Sequence, residues 1–334
     1  GLTGFDTTRT KGQQARMDAI SRAAADSLPQ RGGAIPGLEG EAAHVLSGAC
    51  PSPIPVLIAV PHAGRCYPPG VLARLRDADS AMLRLEDRHA DAVAAPLAEQ
   101  TGALLLRARA PRALIDLNRA PDDVDDAMLP RAERKSDPPW RATYRARSGL
   151  GLFPRRVPGI GELWRQGLDP GEAAARIAGV HQPYHAMLAA TLDDLRQRWG
   201  AALLIDLHSM PPLPLRAASG RTEFVVGDRF GASCHGRIVA EMFDCFGRAR
   251  RGAAHNRPYA GGYVLERHAA PRRGIHAVQL EIDRSLYLDS RMREPGEGVA
   301  ELVAVLVDMV QRLAGVVAAL AMDDAAESAR FAAE

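Results

Sequence analysis

The strongest constraint on the fold is a set of short, continuous apolar runs that alternate with helical patterns. The runs at 55–60, 103–106 and 201–205 are rich in leucine, isoleucine and valine and contain no charged residue. Such runs are typical of strands buried on both faces of a sheet. Apolar residues at helical spacing separate them, at 86–100 and 173–199. This alternation predicts an α/β fold with helices on both faces of a sheet that contains parallel strands.

Further elements extend the same pattern. The residues at 113–117, 224–227 and 275–282 favour strands, and those at 236–246 and 299–318 favour helices. The closing helix is amphipathic, which indicates that it packs on the sheet.

The pattern divides the chain into one body and two peripheral segments. Residues 1–50 are predicted to form an N-terminal extension, weakly ordered or peripheral, with a short helix at 13–27. Residues 51–322 are predicted to form a single domain, and 323–334 a C-terminal tail. Residues 120–165 are rich in proline, aspartate, arginine and glycine and predict a long irregular loop. Loops of that length inside a domain are often functional.

Composition excludes several classes of protein. The formal net charge is only +2, which argues against binding to nucleic acid or to a membrane surface. The segment 302–322 comes nearest to a membrane helix, but Asp308, Gln311 and Arg312 interrupt it. Four widely spaced cysteines form no C-x-x-C pair, so we expect reduced thiols and a cytoplasmic location.

Histidines follow two of the predicted strands. His62 comes one proline after the first apolar run, and His208 lies just beyond the run at 201–205, two residues after Asp206. In open α/β sheets such positions at the carboxyl ends of strands are the usual active-site positions. Residues two apart on a strand share a face, so Asp206 can lie near His208 and accept a ring N–H, or bind a neighbouring element. The alternatives are a structural His62 and a buried Asp–His pair without metal.

A carboxylate occupies a third strand. Glu281 stands between Leu280 and Ile282 in the run at 275–282. An unpaired buried carboxylate is costly, so this side chain needs a partner. A general base or acid beside a metal-bound water meets that need. The alternative is an ion pair with one of the many arginines.

An asparagine–arginine pair marks a fourth position. Asn118 and Arg119 follow the predicted strand at 113–117, and such a pair suits recognition of a carboxylate. With two imidazoles and a carboxylate base, the chain then supplies the parts of a hydrolytic zinc site except one protein ligand.

The remaining ligand has no familiar spacing. The H-x-x-E pattern of zinc peptidases is absent, because Arg65 lies three residues after His62. The best candidate is Asp87, in the acidic cluster at 86–89 that opens a predicted helix. Glu86 is the neighbouring choice, and the alternative for either is an acid that complements the helix dipole.

These features occur in one order along the chain. The ordered motifs are PHAG at 61–64, EDRH at 86–89, IDLNR at 115–119, DLHS at 206–209, GGY at 261–263 and QLE at 279–281. Together they span about 50–315 and resemble the N-formylglutamate amidohydrolase family.

The resemblance implies both a fold and an activity. The fold would be a three-layer α/β/α sandwich around a mixed, mostly parallel sheet, like that of zinc carboxypeptidases and of aspartoacylase and succinylglutamate desuccinylase (phosphorylase/hydrolase-like). The activity would be zinc-dependent hydrolysis of N-formyl-L-glutamate to formate and L-glutamate, as in histidine degradation. The body at 51–322 would then be a catalytic amidohydrolase domain.

The resemblance also assigns roles to residues. One zinc ion would be held by His62, Asp87 and His208, with Glu281 as the catalytic base. Asp206 and His89 would support the ligands. The substrate would be bound by Arg112, Asn118, Arg119, Gly262 and Tyr263.

Within that set, Arg119 and Asn118 would grip the α-carboxylate, and Arg112 would contact a second carboxylate or the oxyanion. The glycine-rich loop from Asn256 through Tyr259 to Tyr263 would close over the ligand; the alternative for this loop is a plain turn.

Three other functions compete with this interpretation. One is an enzyme of the same fold that acts on another N-acyl or N-carbamoyl amino acid. Another is a non-catalytic ligand-binding relative that has kept the anion clamp. A nucleic-acid binder is suggested by arginine content alone, and the near-neutral charge opposes it.

Overall fold

The computed structural model describes residues 29–130, 140–215 and 220–333. The predicted helix at 13–27 lies outside these residues. The strands are β1 (Gln30–Gly32), β2 (His44–Ser47), β3 (Val56–Val60), β4 (Leu104–Ala108), β5 (Arg156–Val157), β6 (Gly161–Glu162), β7 (Ala202–Met210), β8 (Phe224–Gly227), β9 (Ala253–His255) and β10 (Ile275–Asp283).

Eight of these strands form one sheet in the order β1-β2-β4-β3-β7-β10-β8-β9, and β5 and β6 form a separate hairpin. The central strands β4, β3, β7 and β10 are mutually parallel. At one edge β2 is antiparallel to β4 and to β1, and at the other β8 is antiparallel to β10. The predicted mixed, mostly parallel sheet is confirmed.

Helices cover both faces of the sheet. They are α1 (Pro69–Arg74), α2 (Ala78–Leu85), α3 (Ala90–Thr101), α4 (Tyr144–Arg147), α5 (Pro170–Arg176), α6 (Gln182–Trp199), α7 (Gly236–Arg248), α8 (Tyr263–His268) and α9 (Val299–Ala333). A single π-helical turn, Ile177–His181, joins α5 to α6.

Alternation along the strands divides the core into two layers. In β3, Val56, Ile58 and Val60 pack with residues of α3, α7 and α9. Leu57 and Ala59 point to the other face and pack with residues of α2, α5, α6 and α8. Both sets are fully buried, as expected for a strand covered on both faces. The fold is therefore a three-layer α/β/α sandwich.

One predicted strand is wrong. Residues 113–117 form turns instead of a strand. The Leu114 N–H donates to the Pro111 carbonyl, and the Asp116 N–H donates to the Leu152 carbonyl. The apolar side chains of this run are buried, but Pro111 and the turn take the backbone away from the sheet.

The predicted domain boundaries also differ from the structure. β1 and β2 lie inside the segment 1–50 and extend the main sheet, so residues 30–47 are not a peripheral extension. At the other end α9 continues without a break through 323–333. Both strands are short and partly polar, which hides them from periodicity.

The closing helix α9 contains a stretch, Val299–Asp323, that is long and apolar enough to cross a membrane by length and composition alone. In the structure α9 packs against α3 and α7. Leu306, Met309, Val310 and Leu313 are fully buried there. Its apolar residues thus form one wall of the core.

Candidate active site

Two histidines and an aspartate meet at the carboxyl edge of the sheet. One ligand atom from each of His62, Asp87 and His208 lies within 4.8 Å of the other two, and all three residues are buried. His62 follows β3, and His208 projects from the neighbouring strand β7. Asp87 lies between α2 and α3, where its N–H donates to the His62 carbonyl over 3.0 Å.

Two further carboxylates, those of Asp116 and Asp206, fix the imidazole rings. His62 Nε2 lies 2.7 Å from Asp116 Oδ1, and His208 Nε2 lies 2.9 Å from Asp206 Oδ2. Each ring therefore holds its proton on Nε2 and turns Nδ1 toward the other members of the cluster. Asp87 Oδ2 lies 3.4 Å from the first Nδ1 and 2.9 Å from the second. The predicted contact of Asp206 with His208 is present.

The charged groups of this cluster stabilise one another although they are buried. Burial opposes ionisation of Asp87, but the neighbouring His208 and His62 outweigh it and hold the pKa of that carboxyl well below its usual range. The pKa of Asp116 is also held well below its usual range, since Arg112 and His62 outweigh burial. Burial disfavours a charged His208, yet Asp206 and Asp87 raise the pKa of this imidazole well above its ordinary value.

The donor set fits a divalent metal ion. His62 Nδ1 is buried and has no hydrogen-bond partner in the part of the chain described. An orphaned, inward-facing nitrogen is costly unless something binds it. Imidazole nitrogens and one carboxylate are common protein ligands of a catalytic zinc, and carboxylates on the distal ring nitrogens are the usual support.

The neighbours of Asp87 are engaged elsewhere. Glu86 accepts from the Tyr67 hydroxyl at 2.8 Å and from Arg88 at 2.9 Å, so Asp87 and not Glu86 joins the cluster. Arg65, which stands where an H-x-x-E motif has its glutamate, binds both carboxylate oxygens of Asp91.

Glu281 lies next to the cluster because of strand register. In the parallel pairing of β10 with β7, Glu281 is the direct partner of His208. Gln279, two residues earlier on the same face, donates to Glu281 Oε1 over 2.9 Å. Burial raises the pKa of Glu281 to about 7, with the charge of His208 opposing and that of Asp87 adding to the shift. A carboxyl with such a pKa is suited to exchange protons at neutral pH.

The segment 112–119 forms the side of the site next to the cluster. Arg112 Nε donates to Asp116 Oδ2 over 2.9 Å, and Arg119 Nε lies 4.0 Å from the same oxygen. The Asn118 N–H donates to Asp116 Oδ1. The carboxylate that orients His62 therefore also orders the residues predicted to bind an anion.

The glycine-rich segment 256–262 packs directly on Asn118. The Val264 N–H donates to Asn118 Oδ1 over 2.9 Å. A Cβ atom on Gly262 would lie 2.5 Å from that same oxygen, so only glycine allows this approach. Close packing against Asn118 is thus an observed role of Gly262.

Three histidines lie against the segment 112–119. His181 Nε2 lies 2.8 Å from the Arg119 carbonyl, and His185 Nε2 lies 3.0 Å from the Leu117 carbonyl. His185 Nδ1 in turn lies 2.9 Å from His268 Nε2. The π-helical turn ends at His181 and sets its ring under the segment, a use of π-bulges that recurs at functional sites.

The cluster, Glu281 and the segment 112–119 border a cleft of about 700 Å³. The predicted residues His62, Asp87, Arg112, Asn118, Arg119, His208, Gly262 and Glu281 all border it. The segment predicted as a long loop also contributes, through Arg145, Val157 and Pro158.

Two predicted side chains are placed elsewhere. His89 occupies the N-cap position of α3 with a φ of 55°, and its Nε2 lies 3.3 Å from Glu294. Tyr263 begins α8, and its ring packs 5.2 Å from His185 and 5.8 Å from His181, so it does not border the cleft.

Sequence reasoning missed the roles of Asp116, Gln279 and Arg145. Asp116 stands in a run of apolar residues, and a charge in such a run was a usable signal for a buried partner. Gln279 shares a strand face with Glu281, by the same two-residue spacing that identified Asp206. Arg145 had no signal among so many arginines.

Comparison with known proteins agrees with this geometry. A sequence model of the N-formylglutamate amidohydrolase family matches residues 54–288. The chain belongs to this family. Among curated members, it is 31% identical to the N-formylglutamate deformylase of Pseudomonas aeruginosa over 250 residues, which cover 71% of this chain and 84% of that protein. The enzyme of the same name from Pseudomonas putida is also 31% identical and is covered to 82%.

A solved structure extends the agreement to the fold. The crystal structure of N-formylglutamate amidohydrolase from Ralstonia eutropha superposes with a TM-score of 0.74 at 30% identity, covering 82% of this chain and 98% of that one. The N-formylglutamate amidohydrolase fold therefore extends beyond the residues that the family model matches.

Proposed function

We propose that this protein is a metal-dependent amidohydrolase that converts N-formyl-L-glutamate to formate and L-glutamate. The observation that carries the proposal is the buried cluster of His62, Asp87 and His208 with Glu281 beside it. Relatives named N-formylglutamate deformylase support the substrate.

His62, Asp87 and His208 would hold the ion, and zinc is the first choice for this donor set. A bound zinc ion supplies a Lewis acid that acidifies water and polarises the acyl carbonyl. Asp116 and Asp206 keep the two imidazoles in the tautomer that offers Nδ1.

Glu281 serves as general base and then as general acid. It takes a proton from the attacking water, whose oxygen bonds to the formyl carbon. The amide C–N bond then breaks, and the leaving nitrogen receives the proton from Glu281. The raised pKa of Glu281, about 7, lets the carboxyl hold and release that proton near neutral pH.

The arginines of the segment 112–119 bind and orient the substrate. Arg119, with Asn118 beside it, binds the α-carboxylate through the guanidinium fork. Arg112 is anchored by Asp116 through Nε, and its remaining N–H groups stabilise the oxyanion.

We also propose a cytoplasmic location and a role in amino-acid catabolism such as histidine degradation. The four cysteines are free thiols, as suits a reducing compartment. The apolar helix α9 is packed on the core, which supports its role as a structural element of the domain.

The direct test is formate release by the purified, metal-containing protein and by its Glu281→Gln variant. We expect turnover to fall by about 10²- to 10⁴-fold, because the amide of glutamine cannot accept the proton of the attacking water. Metal content measured by elemental analysis should stay the same. Glu297→Gln, at an exposed position outside the cleft, is the matched control. Full activity in Glu281→Gln would remove this residue from the mechanism.

A related function is favoured by the size of the cleft. A volume of about 700 Å³ lies in the range of pockets that hold drug-sized ligands, so a larger N-acyl or N-carbamoyl group also has room. A panel of N-formyl, N-acetyl, N-succinyl and N-carbamoyl glutamates would decide between them. A higher kcat/KM for any of the larger acyl groups would replace the formyl assignment.

A further inference from the structure

Among the residues that the structure describes, the cleft is lined by more arginines than carboxylates. Three carboxylates border it: Asp87, Asp116 and Glu281. Five arginines border it as well: Arg84, Arg112, Arg119, Arg145 and Arg284. A metal ion would add further positive charge. A substrate with two carboxylates matches this excess better than one with a single carboxylate.

Two of the five arginines at the rim of the cleft have structural partners. Arg284 donates to the Glu86 carbonyl over 2.6 Å and to the Ser209 hydroxyl over 3.0 Å. Arg84 donates to the Pro158 carbonyl over 2.9 Å. These bonds hold both guanidinium groups to the protein.

Two more arginines are oriented by Asp116. Arg112 donates to it over 2.9 Å, and Arg119 lies 4.0 Å from it. Arg112 bonds that carboxylate through Nε, whereas the buried Nε of Arg119 has no hydrogen bond in the described part of the chain. Within the same residues, no hydrogen bond takes up the terminal nitrogens of either side chain. The proposed function assigns them to the oxyanion and the α-carboxylate.

Arg145 differs from the other four. Within residues 29–130, 140–215 and 220–333, its guanidinium makes no hydrogen bond or ion pair, although it borders the cleft. A free guanidinium beside an anion-binding segment is a ready partner for a carboxylate.

The backbone that carries Arg145 is fixed. Thr143 caps α4 by accepting from the Ala146 N–H over 3.2 Å. Its own N–H and hydroxyl donate to the buried carboxylate of Asp123 over 2.7 and 3.1 Å. Ala146 is fully buried. The side chain of Arg145, which has no partner among the described residues, therefore projects from an anchored backbone.

We propose that Arg145 binds the side-chain carboxylate of the acidic substrate while Arg119 and Asn118 hold its α-carboxylate. This inference rests on the proposed function and names the residue that selects glutamate-like substrates over neutral ones. The position on α4 gives the segment 120–165 a role in substrate choice.

Mutual repulsion between the two cations supports the assignment. Burial lowers the pKa of Arg119, Asp116 opposes this shift, and the positive charges of Arg112 and Arg145 add to it. The positive charges of Arg112 and Arg145 thus repel that of Arg119. A ligand that brings a carboxylate to each relieves this repulsion.

The test compares N-formyl-L-glutamate with its neutral isostere N-formyl-L-glutamine. We expect Arg145→Ala to lower kcat/KM for the glutamate substrate by about 10- to 100-fold, mostly through KM, and to leave the glutamine substrate unchanged. Arg145→Lys should fall between, because it keeps the charge and loses the fork. Arg147→Ala is the matched control: it lies on the same short helix, donates to the Ala142 carbonyl and does not border the cleft.

Equal losses on both substrates, or no loss on either, would overturn the assignment. Binding of glutarate and of its monoamide, measured by calorimetry, gives a readout that does not depend on turnover. Arg145→Ala should weaken glutarate alone by about 10-fold or more. If the wild-type protein released no formate, the proposed function would fail, and the glutarate comparison would still decide the role of Arg145.

Discussion

The two ring nitrogens of each cluster histidine have separate duties. Nε2 of His62 and of His208 meets a buried carboxylate, which leaves Nδ1 to face the centre of the cluster. A neutral imidazole offers one donor and one acceptor, so the partner of one nitrogen decides what the other can bind. Asp116 and Asp206 would thus influence metal binding at the proposed site without contacting the ion.

Substitution of Asp116 by asparagine tests this control. We expect the Asp116→Asn variant to bind metal about 10- to 100-fold more weakly, because an amide no longer fixes the tautomer of His62. Competition with a chelator measures the affinity. Asp122→Asn, close in the chain but outside the cleft, should bind as the wild type does; equal affinity in Asp116→Asn would contradict the argument.

The sequence located the residues that strands position and missed those that turns position. His62, His208 and Glu281 each belong to a strand or follow one, so the shared edge of a parallel sheet predicts that they meet. Asp116 was hidden because its apolar run was interpreted as a strand. His89 was misplaced because its left-handed backbone, with a φ of 55°, redirects the side chain.

At the scale of elements, the site depends on how closely one loop approaches another. The segment 256–262 packs on Asn118, whose side chain also lies 3.4 Å from Gln279 through Nδ2. Asn118 therefore joins the segment 112–119 to β10, the strand that carries Glu281. The close approach of Gly262 keeps this connection in place.

Adding one methyl group at Gly262 should disturb this connection. Gly262 has a φ of −112°, which alanine also adopts, so the penalty is steric. We expect Gly262→Ala to raise KM for N-formyl-L-glutamate by about 10-fold or more, because a displacement of about 1 Å near a site has large effects. Steady-state kinetics and a melting curve measure the two effects separately. Gly70→Ala, where an added Cβ meets nothing within 4 Å, should not raise KM and should not lower the melting temperature.

At the scale of the whole molecule, buried neutral histidines tie stability to pH. Burial lowers the pKa of His44 and of His268 to about 4, and that of His185 to about 2. In the unfolded chain these rings titrate near pH 6.5. Above pH 6.5 the rings are neutral in both states, so their burial in the neutral form does not reduce the free energy of unfolding through protonation. As pH falls below 6.5 toward 4, only the unfolded chain gains protons, and the folded state loses stability.

A single substitution isolates one of these contributions. Between pH 7.5 and pH 5, His268 should account for a loss of about 2 kcal/mol in the free energy of unfolding. Over this pH range we expect the free energy of unfolding to fall by about 2 kcal/mol less in His268→Gln than in the wild type. This difference does not depend on the stability of the variant at pH 7.5. Urea unfolding at both pH values gives the difference. An identical pH dependence in the two proteins would contradict a neutral, buried His268.

The three-layer architecture was predictable from the sequence, but the extent of the sheet was not. The runs that became β3, β4, β7 and β10 are buried on both faces and therefore continuous in the sequence. β1 has exposed glutamine and arginine, and its place depends on pairing with β2. Strand order carries no local signal, because pairing joins residues far apart in the chain.

The sheet order has a consequence for synthesis of the chain. β10 is the last strand to leave the ribosome, yet it lies in the sheet between β7 and β8. Until Asp283 has emerged, β7 keeps an open edge of nine residues, and β8 and β9 have no place to dock. Open apolar edges promote association between nascent chains. Fragments that stop before β10 should therefore need chaperones, and they would also lack Glu281, the proposed general base.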